Sequence, residues 1–367
     1  MPEDKIYTAD KIFTGQEWLK DHAIITDGTI IKKIVPVTAL SPSQESIQLD
    51  KSIIAPAFID LQIYGAYNSL LAVFPEPASL KKLNDYCTKG GAALCLPTVA
   101  TNTYEVFYQC IDAVKEYWNN KGTGILGLHL EGPWINPVKR GAHIESLIHS
   151  PKAEQVKQLL ECGKEVIKMI TLAPETCSPD IIELILSYDI IISAGHSNAS
   201  YAEAKAGFAN GITTVTHLYN AMSPLQHRAT GLVGATMDDD KVTASIIPDG
   251  HHVDYTALRI AKQVMKERLF VITDAVTTTG KGYYKHQPAG DKYEADGILS
   301  GSALTMEKAL HNLVHFAGID LEEALRMCSL YPARVMRKDH VYGRITEGYD
   351  SNMVVLDEKL NVKKMLT

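Results

Sequence analysis

The chain has 367 residues, of which 46% are hydrophobic and 22% charged, enough to bury a large core in one barrel with an appended lobe or in two ordinary domains. A formal net charge of −7 argues against nucleic-acid binding, which needs a basic stripe. No apolar run reaches the roughly 18–20 residues that cross a bilayer.

The polar start, MPEDKIYTAD, has no apolar signal core. Next, Ile24 to Ile31 reads as two β-rich runs around an Asp27-Gly28 turn, a hairpin signal. At the other end, Gly343 to Thr367 again carries turn residues and a short strand, Met353-Val354-Val355-Leu356. Both ends predict antiparallel β pairing in one small lobe. Between them, apolar runs fall at 53–62, 92–99, 124–131, 166–173, 189–196, 212–218, 242–248 and 269–274, with helical segments such as Tyr201–Asn210 and Asp254–Glu267 in most gaps. Eight strands alternating with helices predict an α/β fold, a parallel (β/α)8 TIM barrel. A doubly wound open sheet is the competing architecture on periodicity alone. The expected division is 1–52 and 341–367 for the two halves of a small β-sandwich lobe, and 53–340 for the barrel. Cys87, Cys95, Cys110, Cys162, Cys177 and Cys328 follow no CxxC or short disulfide spacing, which predicts reduced thiols in a cytoplasmic protein.

Several of these strands end in a residue able to bind a metal or move a proton. The third runs into His129-Leu130-Glu131-Gly132-Pro133, and strand alternation puts Glu131 and His129 on one face. The fifth ends at His196, the sixth at His217 and the eighth at Asp274. In a barrel all four converge on the C-terminal rim, where active sites of this architecture lie. Two histidines and a carboxylate leave an open corner for water on a tetrahedral metal, the catalytic arrangement, and Asp274 can take that water's proton. Taken singly, a histidine at a strand end is more often a hydrogen-bonded structural residue, which is the reading preferred for His129. An aspartate there is more often a helix cap.

The wording of these strand ends is also familiar. The stretches His129–Trp134, Gly195-His196-Ser197, His217–Met222 and Thr273-Asp274-Ala275 resemble the N-acetylglucosamine-6-phosphate deacetylases of the amidohydrolase superfamily. So do Lys139–His143, His227–Gly231, Asp249–Asp254 and Leu299–Ser302. The resemblance runs in order from about Ala55 to Asp350. It implies a barrel with a small lobe made of both termini, and hydrolysis of N-acetylglucosamine 6-phosphate to glucosamine 6-phosphate and acetate.

Residue by residue, the resemblance implies that Glu131, His196 and His217 hold the metal and that Asp274 is the catalytic acid and base. His143 would help polarise the acetamide carbonyl. Asn220, Ala221, Arg228 and His252 match the positions that hold the sugar phosphate, Arg228 through a bidentate grip. Ala142 and the Leu299-Ser300-Gly301 turn would line the pocket. In this family the arginine can come from a neighbouring subunit, so a homodimer is implied. His251 reads as a solvent-facing neighbour of His252.

The chain departs from the two-metal members at the end of the first strand, where His-x-His is replaced by Gln62-Ile63-Tyr64. An amide and a phenol are poor ligands for a divalent transition metal, so one ion is expected: zinc first, with iron, manganese and cobalt as alternatives. Ala66–Ser69 lacks the usual glycine-rich wording, and Ala229-Thr230-Gly231 stands where Glu-Pro-Gly is frequent. The rival functions are another amide hydrolase of the superfamily, acting on N-acyl amino acids or cyclic amides, and a silent sugar-phosphate sensor on the same barrel. Carboxylated-lysine and His-x-His signatures are absent, and the three ligands with Asp274 are retained, which weighs against both.

Overall fold

Each of the eight apolar runs carries one strand of a single sheet in the computed structural model, which describes residues 4–41, 44–295 and 297–366. In chain order these are β1 (Phe58–Ile63), β2 (Ala92–Ala100), β3 (Leu128–Glu131), β4 (Ile167–Leu172), β5 (Ile191–Ala194), β6 (Thr214–Val215), β7 (Thr243–Ile246) and β8 (Leu269–Val271). Sequential neighbours pair throughout, and a parallel bridge from Ile63 to Ala275 joins the first strand to the segment after the eighth. The sheet is therefore an eight-stranded parallel barrel, not an open doubly wound sheet. Helices Tyr104–Asn119, Ala153–Cys162, Pro179–Leu186, Tyr201–Ala209, Gly231–Asp238 and Tyr255–Met265 occupy successive crossovers. Local chemistry fixes their starts. Ser200 and Glu203 form a reciprocal capping box before Tyr201, and the Asp254 side chain accepts the Thr256 N–H.

The chain divides into two compact units: the described residues of Met1–Asp60, Cys87–Leu94 and Met306–Thr367 form one, and Leu61–Tyr86 with Cys95–Thr305 the other. In the first, strands from both termini share a seven-stranded sheet. Its order is Val362–Leu366, Met353–Asp357, Ile47–Pro56, Lys5–Phe13, His22–Thr26 and Ile31–Pro36, with Trp18–Leu19 paired beside Lys5–Phe13. The Asp27-Gly28 turn joins His22–Thr26 to Ile31–Pro36 as an antiparallel pair. The first apolar run serves two sheets: Ile53 and Ile54 pair with Lys11 and Ile12 on one side and with Leu356 and Val355 on the other. The barrel strand begins only at Phe58. Helices Met306–His315, Leu321–Cys328 and Leu330–Val335 belong to this unit.

Ile54 sits fully buried with Ile12, Ile24, Ile31, Met353 and Val355. Truncating it removes a side chain from a cluster in which those residues come from four other strands. Ile54→Ala is expected to lower stability by about 2–5 kcal/mol, read as an earlier denaturant midpoint; an unchanged midpoint would show that this cluster does not hold the terminal sheet.

Candidate metal centre and its cavity

The side chains expected at the strand ends meet. Glu131 closes β3, and its carboxylate is buried at 2% exposure. Its Oε1 lies 3.2 Å from Nε2 of His196 and 3.0 Å from Nε2 of His217, and those two nitrogens stand 3.1 Å apart. Donors around a four-coordinate ion at about 2.0–2.2 Å stand roughly 3.3–3.5 Å apart, so this triangle has the dimensions of one face of such a site. Its hydrogen bonding points the same way. Nδ1 of His196 faces the carbonyl of Lys139 at 3.0 Å and must donate to it. In the neutral ring Nε2 then carries a lone pair, aimed at a carboxylate oxygen and at a second imidazole nitrogen. A cation at the centre of the three atoms relieves that repulsion, and the donor set of two imidazoles and one carboxylate suits a divalent transition metal. Glu131, His143 and His196 also bring one ligand atom each within 4.8 Å of one another. The triangle with His217 is the tighter group.

Backbone strain places these groups. His196, His217 and Asp274 all have positive φ, at 46°, 30° and 54°, a region side-chain-bearing residues rarely adopt. Each lies two or three residues past the last ladder residue of its strand, where the chain turns out of the sheet. Ser245 Oγ accepts the His217 N–H at 2.8 Å, and Glu175 holds the residue after His196 through Ser197 Oγ at 2.7 Å.

Gln62 and Tyr64 are not idle replacements for histidines. Gln62 Nε2 donates to Glu131 Oε1 at 2.9 Å and to Asp274 Oδ1 at 2.8 Å, while Thr216 Oγ1 donates to Gln62 Oε1 at 2.5 Å. The Tyr64 hydroxyl donates to Glu131 Oε2 at 2.5 Å. Burial and the two carboxylates raise the Tyr64 pKa well above the ordinary phenol value, so it remains a donor. His143 reaches Glu131 Oε2 at 3.1 Å through Nε2, with Nδ1 on Thr101 Oγ1 at 2.7 Å. Burial and the adjacent His196 push its pKa down to about 4, which keeps the ring neutral. Asp274 is raised above the usual carboxylate value by burial, opposed by His217 and reinforced by Glu131.

One cavity of about 210 Å³ gathers Glu131, His143, His196, His217 and Asp274 at one part of its wall. Ala142, Asn220, Ala221, His252, Leu299, Ser300 and Gly301 line the rest, as expected from the sequence. Asp249 holds His252 by its Nδ1 at 2.6 Å. His251 is exposed, as expected, and its Nε2 reaches Oδ1 of the exposed Asp291 at 2.7 Å. Arg228 does not line this cavity. It is exposed on a tight turn closed by reciprocal bonds between Gln226 and Ala229, beside a separate cavity with Ser200 and Tyr201. His129 is a satisfied core histidine, bonded to the Leu61 carbonyl and Thr171 Oγ1. Tyr284, His286, Ile247 and Val276 also line the cavity and were not singled out from the sequence. The signal available for the first two was a Tyr-x-His spacing, which puts both rings on one side of an extended segment.

A barrel whose rim carries a buried Glu-His-His corner beside a second carboxylate has the build of a metal-dependent hydrolase. The Amidohydrolase family model matches residues 53–366 and the NagA composite domain model residues 6–54. The chain is 34% identical to the N-acetylglucosamine-6-phosphate deacetylase of Haemophilus influenzae, covering 96% of this chain and 94% of that protein. It is 30% identical to the N-acetylgalactosamine-6-phosphate deacetylase of Escherichia coli O157:H7, over 98% and 97%. The crystal structure of N-acetylglucosamine-6-phosphate deacetylase from Pasteurella multocida superposes with a TM-score of 0.93 at 33% identity, covering 98% and 97%. A Mycobacterium smegmatis enzyme variant solved in complex with N-acetyl-D-glucosamine-6-phosphate gives 0.92 at 25% identity, covering 99% and 97%. The chain belongs to the amidohydrolase family, on the branch of the N-acetylglucosamine-6-phosphate deacetylases.

If the triangle holds the ion, binding must stabilise the fold; at about 100-fold excess over Kd the gain is ~2.7 kcal/mol. Returning zinc or cobalt to chelator-stripped protein is expected to raise the thermal midpoint, and to leave that of a His217→Asn variant nearly unmoved. Equal rises in both would remove His217 from the ligand set.

Proposed function

We propose that this chain hydrolyses N-acetyl-D-glucosamine 6-phosphate to D-glucosamine 6-phosphate and acetate, in amino-sugar catabolism. The observation that carries the reading is the meeting of the Glu131, His196 and His217 triangle with Asp274 in one cavity that also holds His143, Asn220 and His252. Those three side chains would hold one divalent ion, zinc first among the candidates, which would supply Lewis acidity to the reaction. At the end of the first strand Gln62 and Tyr64 offer a second ion no imidazole, and both side chains are committed to the two carboxylates.

This chain's own groups carry the proton and charge movements. Asp274 takes a proton from the attacking water and returns it to the amide nitrogen as the C–N bond breaks. Its raised proton affinity favours holding that proton between the two steps. His143, neutral and anchored on Thr101, presents its Nε2–H to the carbonyl oxygen, where negative charge builds as water adds. His252, aligned by Asp249, joins Asn220, Ala221 and Arg228 in holding the phosphate end; Ala142, Leu299, Ser300 and Gly301 shape the sugar pocket. Since Arg228 lies outside this cavity on an exposed turn beside the exposed Leu225, we assign it to the neighbouring site of a homodimer. Six free cysteines suit a reducing cytoplasm, and among the described residues no helix is long and apolar enough to cross a membrane.

Asp274→Asn is expected to cut turnover by about 10²–10⁴-fold while retaining one equivalent of metal; near-normal turnover would remove the acid–base assignment. The subunit exchange has its own test. Arg228→Ala and Asp274→Asn homodimers should both be impaired, and mixing them should restore activity, because a mixed dimer assembles one site with both groups intact. No restoration on exchange would place Arg228 with its own subunit's site.

A further inference from the structure

The cavity contains five imidazoles, and four of them are engaged: three on Glu131 and one on Asp249. The fifth, His286, is 4% exposed and also lines the cavity. Its Nδ1 lies 2.9 Å from Ser300 Oγ. Among the described residues that is the only ring nitrogen of His286 with a hydrogen-bond partner. The ring stacks on Tyr284 at 5.9 Å and 11°, and Tyr284 is itself pinned by its hydroxyl to the Thr101 carbonyl at 2.7 Å. Thr101 also holds His143. On the other side, Ser300 lies on the strand Ile298–Ser302, whose last residue bonds the Thr273 and Asp274 carbonyls at 2.5 and 3.0 Å. The imidazole is therefore fixed between two anchors, each tied to a group of the proposed chemistry, with Nε2 left to the cavity. So much preorganisation behind an unused polar atom is what a recognition contact needs.

We propose that His286 is a specificity-determining residue whose Nε2 hydrogen-bonds a ring hydroxyl of the sugar. This rests on the substrate reading given above. Burial pushes the pKa of this ring down to about 4, so it is neutral at ordinary pH. A neutral imidazole suits a hydroxyl, which both donates and accepts, better than a phosphate, for which Arg228 and His252 are available. In a pyranose, C2 carries the acetamide and C5 the phosphate arm, which leaves the C3, C4 and anomeric hydroxyls for such a neutral partner. The C4 configuration is also the difference between the two sugars named for the relatives above.

The test compares wild type, His286→Phe and His286→Gln on N-acetylglucosamine 6-phosphate and its 1-deoxy, 3-deoxy and 4-deoxy forms, and on the C4 epimer. Phenylalanine keeps the stacking on Tyr284 and removes the ring nitrogens; glutamine restores an amide donor and acceptor. Expected for His286→Phe is a loss of about 10–100-fold in kcat/KM on the parent sugar, with no further loss on the one deoxy sugar lacking the partner hydroxyl. Partial recovery is expected in His286→Gln. If that hydroxyl is at C4, the preference between epimers should also shrink in His286→Phe. The same fractional loss on every analogue, or no loss on any, overturns the role of His286 and leaves the deacetylase reading standing. Wild type that turns over none of these sugars overturns both.

Discussion

A buried carboxylate is the constraint around which the catalytic end of this barrel is arranged. Glu131 is almost fully withdrawn from water, and removing an ion from water costs several kcal/mol unless its lone pairs are met. Gln62, Tyr64 and His143 donate to them, and His196 and His217 face Oε1 across the triangle that a cation would fill. They arrive from the first, fifth and sixth strand ends and from the loop after the third. No local segment could supply them. The pairing of Asp274 N–H with the Gln62 carbonyl, and of Tyr64 N–H with the Ala275 carbonyl, closes the barrel and puts the first and eighth strands side by side. The ladder that completes the fold is thus the one that sets Asp274 beside Gln62.

Much of this was legible because barrel strands are buried on both faces and so read as continuous apolar runs. A polar residue at the end of such a run stands out, as Glu131, His196, His217 and Asp274 do. His129 shows why face alone is not enough. It shares a face with Glu131 but lies two residues deeper, where its ring nitrogens are consumed by the Leu61 carbonyl and Thr171. Depth along the strand separates a core histidine from a ligand, and periodicity carries no depth. The run 53–62 hid a different event, since hydrophobicity is continuous while the pairing partner changes between Pro56 and Phe58. Tyr284 and His286 escaped notice because they lie in an irregular stretch after the eighth strand, fixed by tertiary bonds that leave no periodic trace.

The positive φ values at His196, His217 and Asp274 carry a cost of order 1–3 kcal/mol each. Glycine would relieve it and would remove the functional side chain. The strain persists because the surroundings over-determine it: Asn136 N–H bonds the His196 carbonyl, Ser245 holds both the His217 and Leu218 peptides, and Ser302 N–H bonds the Asp274 carbonyl. These are also the bonds that fix the direction in which each side chain leaves the backbone. Local instability and catalytic placement therefore share one cause, and the polar residues behind the site (Ser245, Ser302 and Thr273) support both.

Gln62 completes the logic. Glu131 and Asp274 are two carboxylates within reach of one amide group, and like charges so close raise each other's proton affinity. A neutral amide can bridge them with its two N–H bonds, as Gln62 does, without the positive charge that a second metal would bring. That bridge leaves Asp274 oriented yet still inclined to hold a proton, the state a residue needs if it must receive one from water and later release it to nitrogen. The carboxylate with the histidines is drawn the other way: burial raises the pKa of Glu131, but His196, His143 and His217 bring it well below the ordinary value. Two acidic side chains in one cavity are thus held at opposite proton affinities by their neighbours, as the proposed roles of ligand and proton carrier require, with one amide between them.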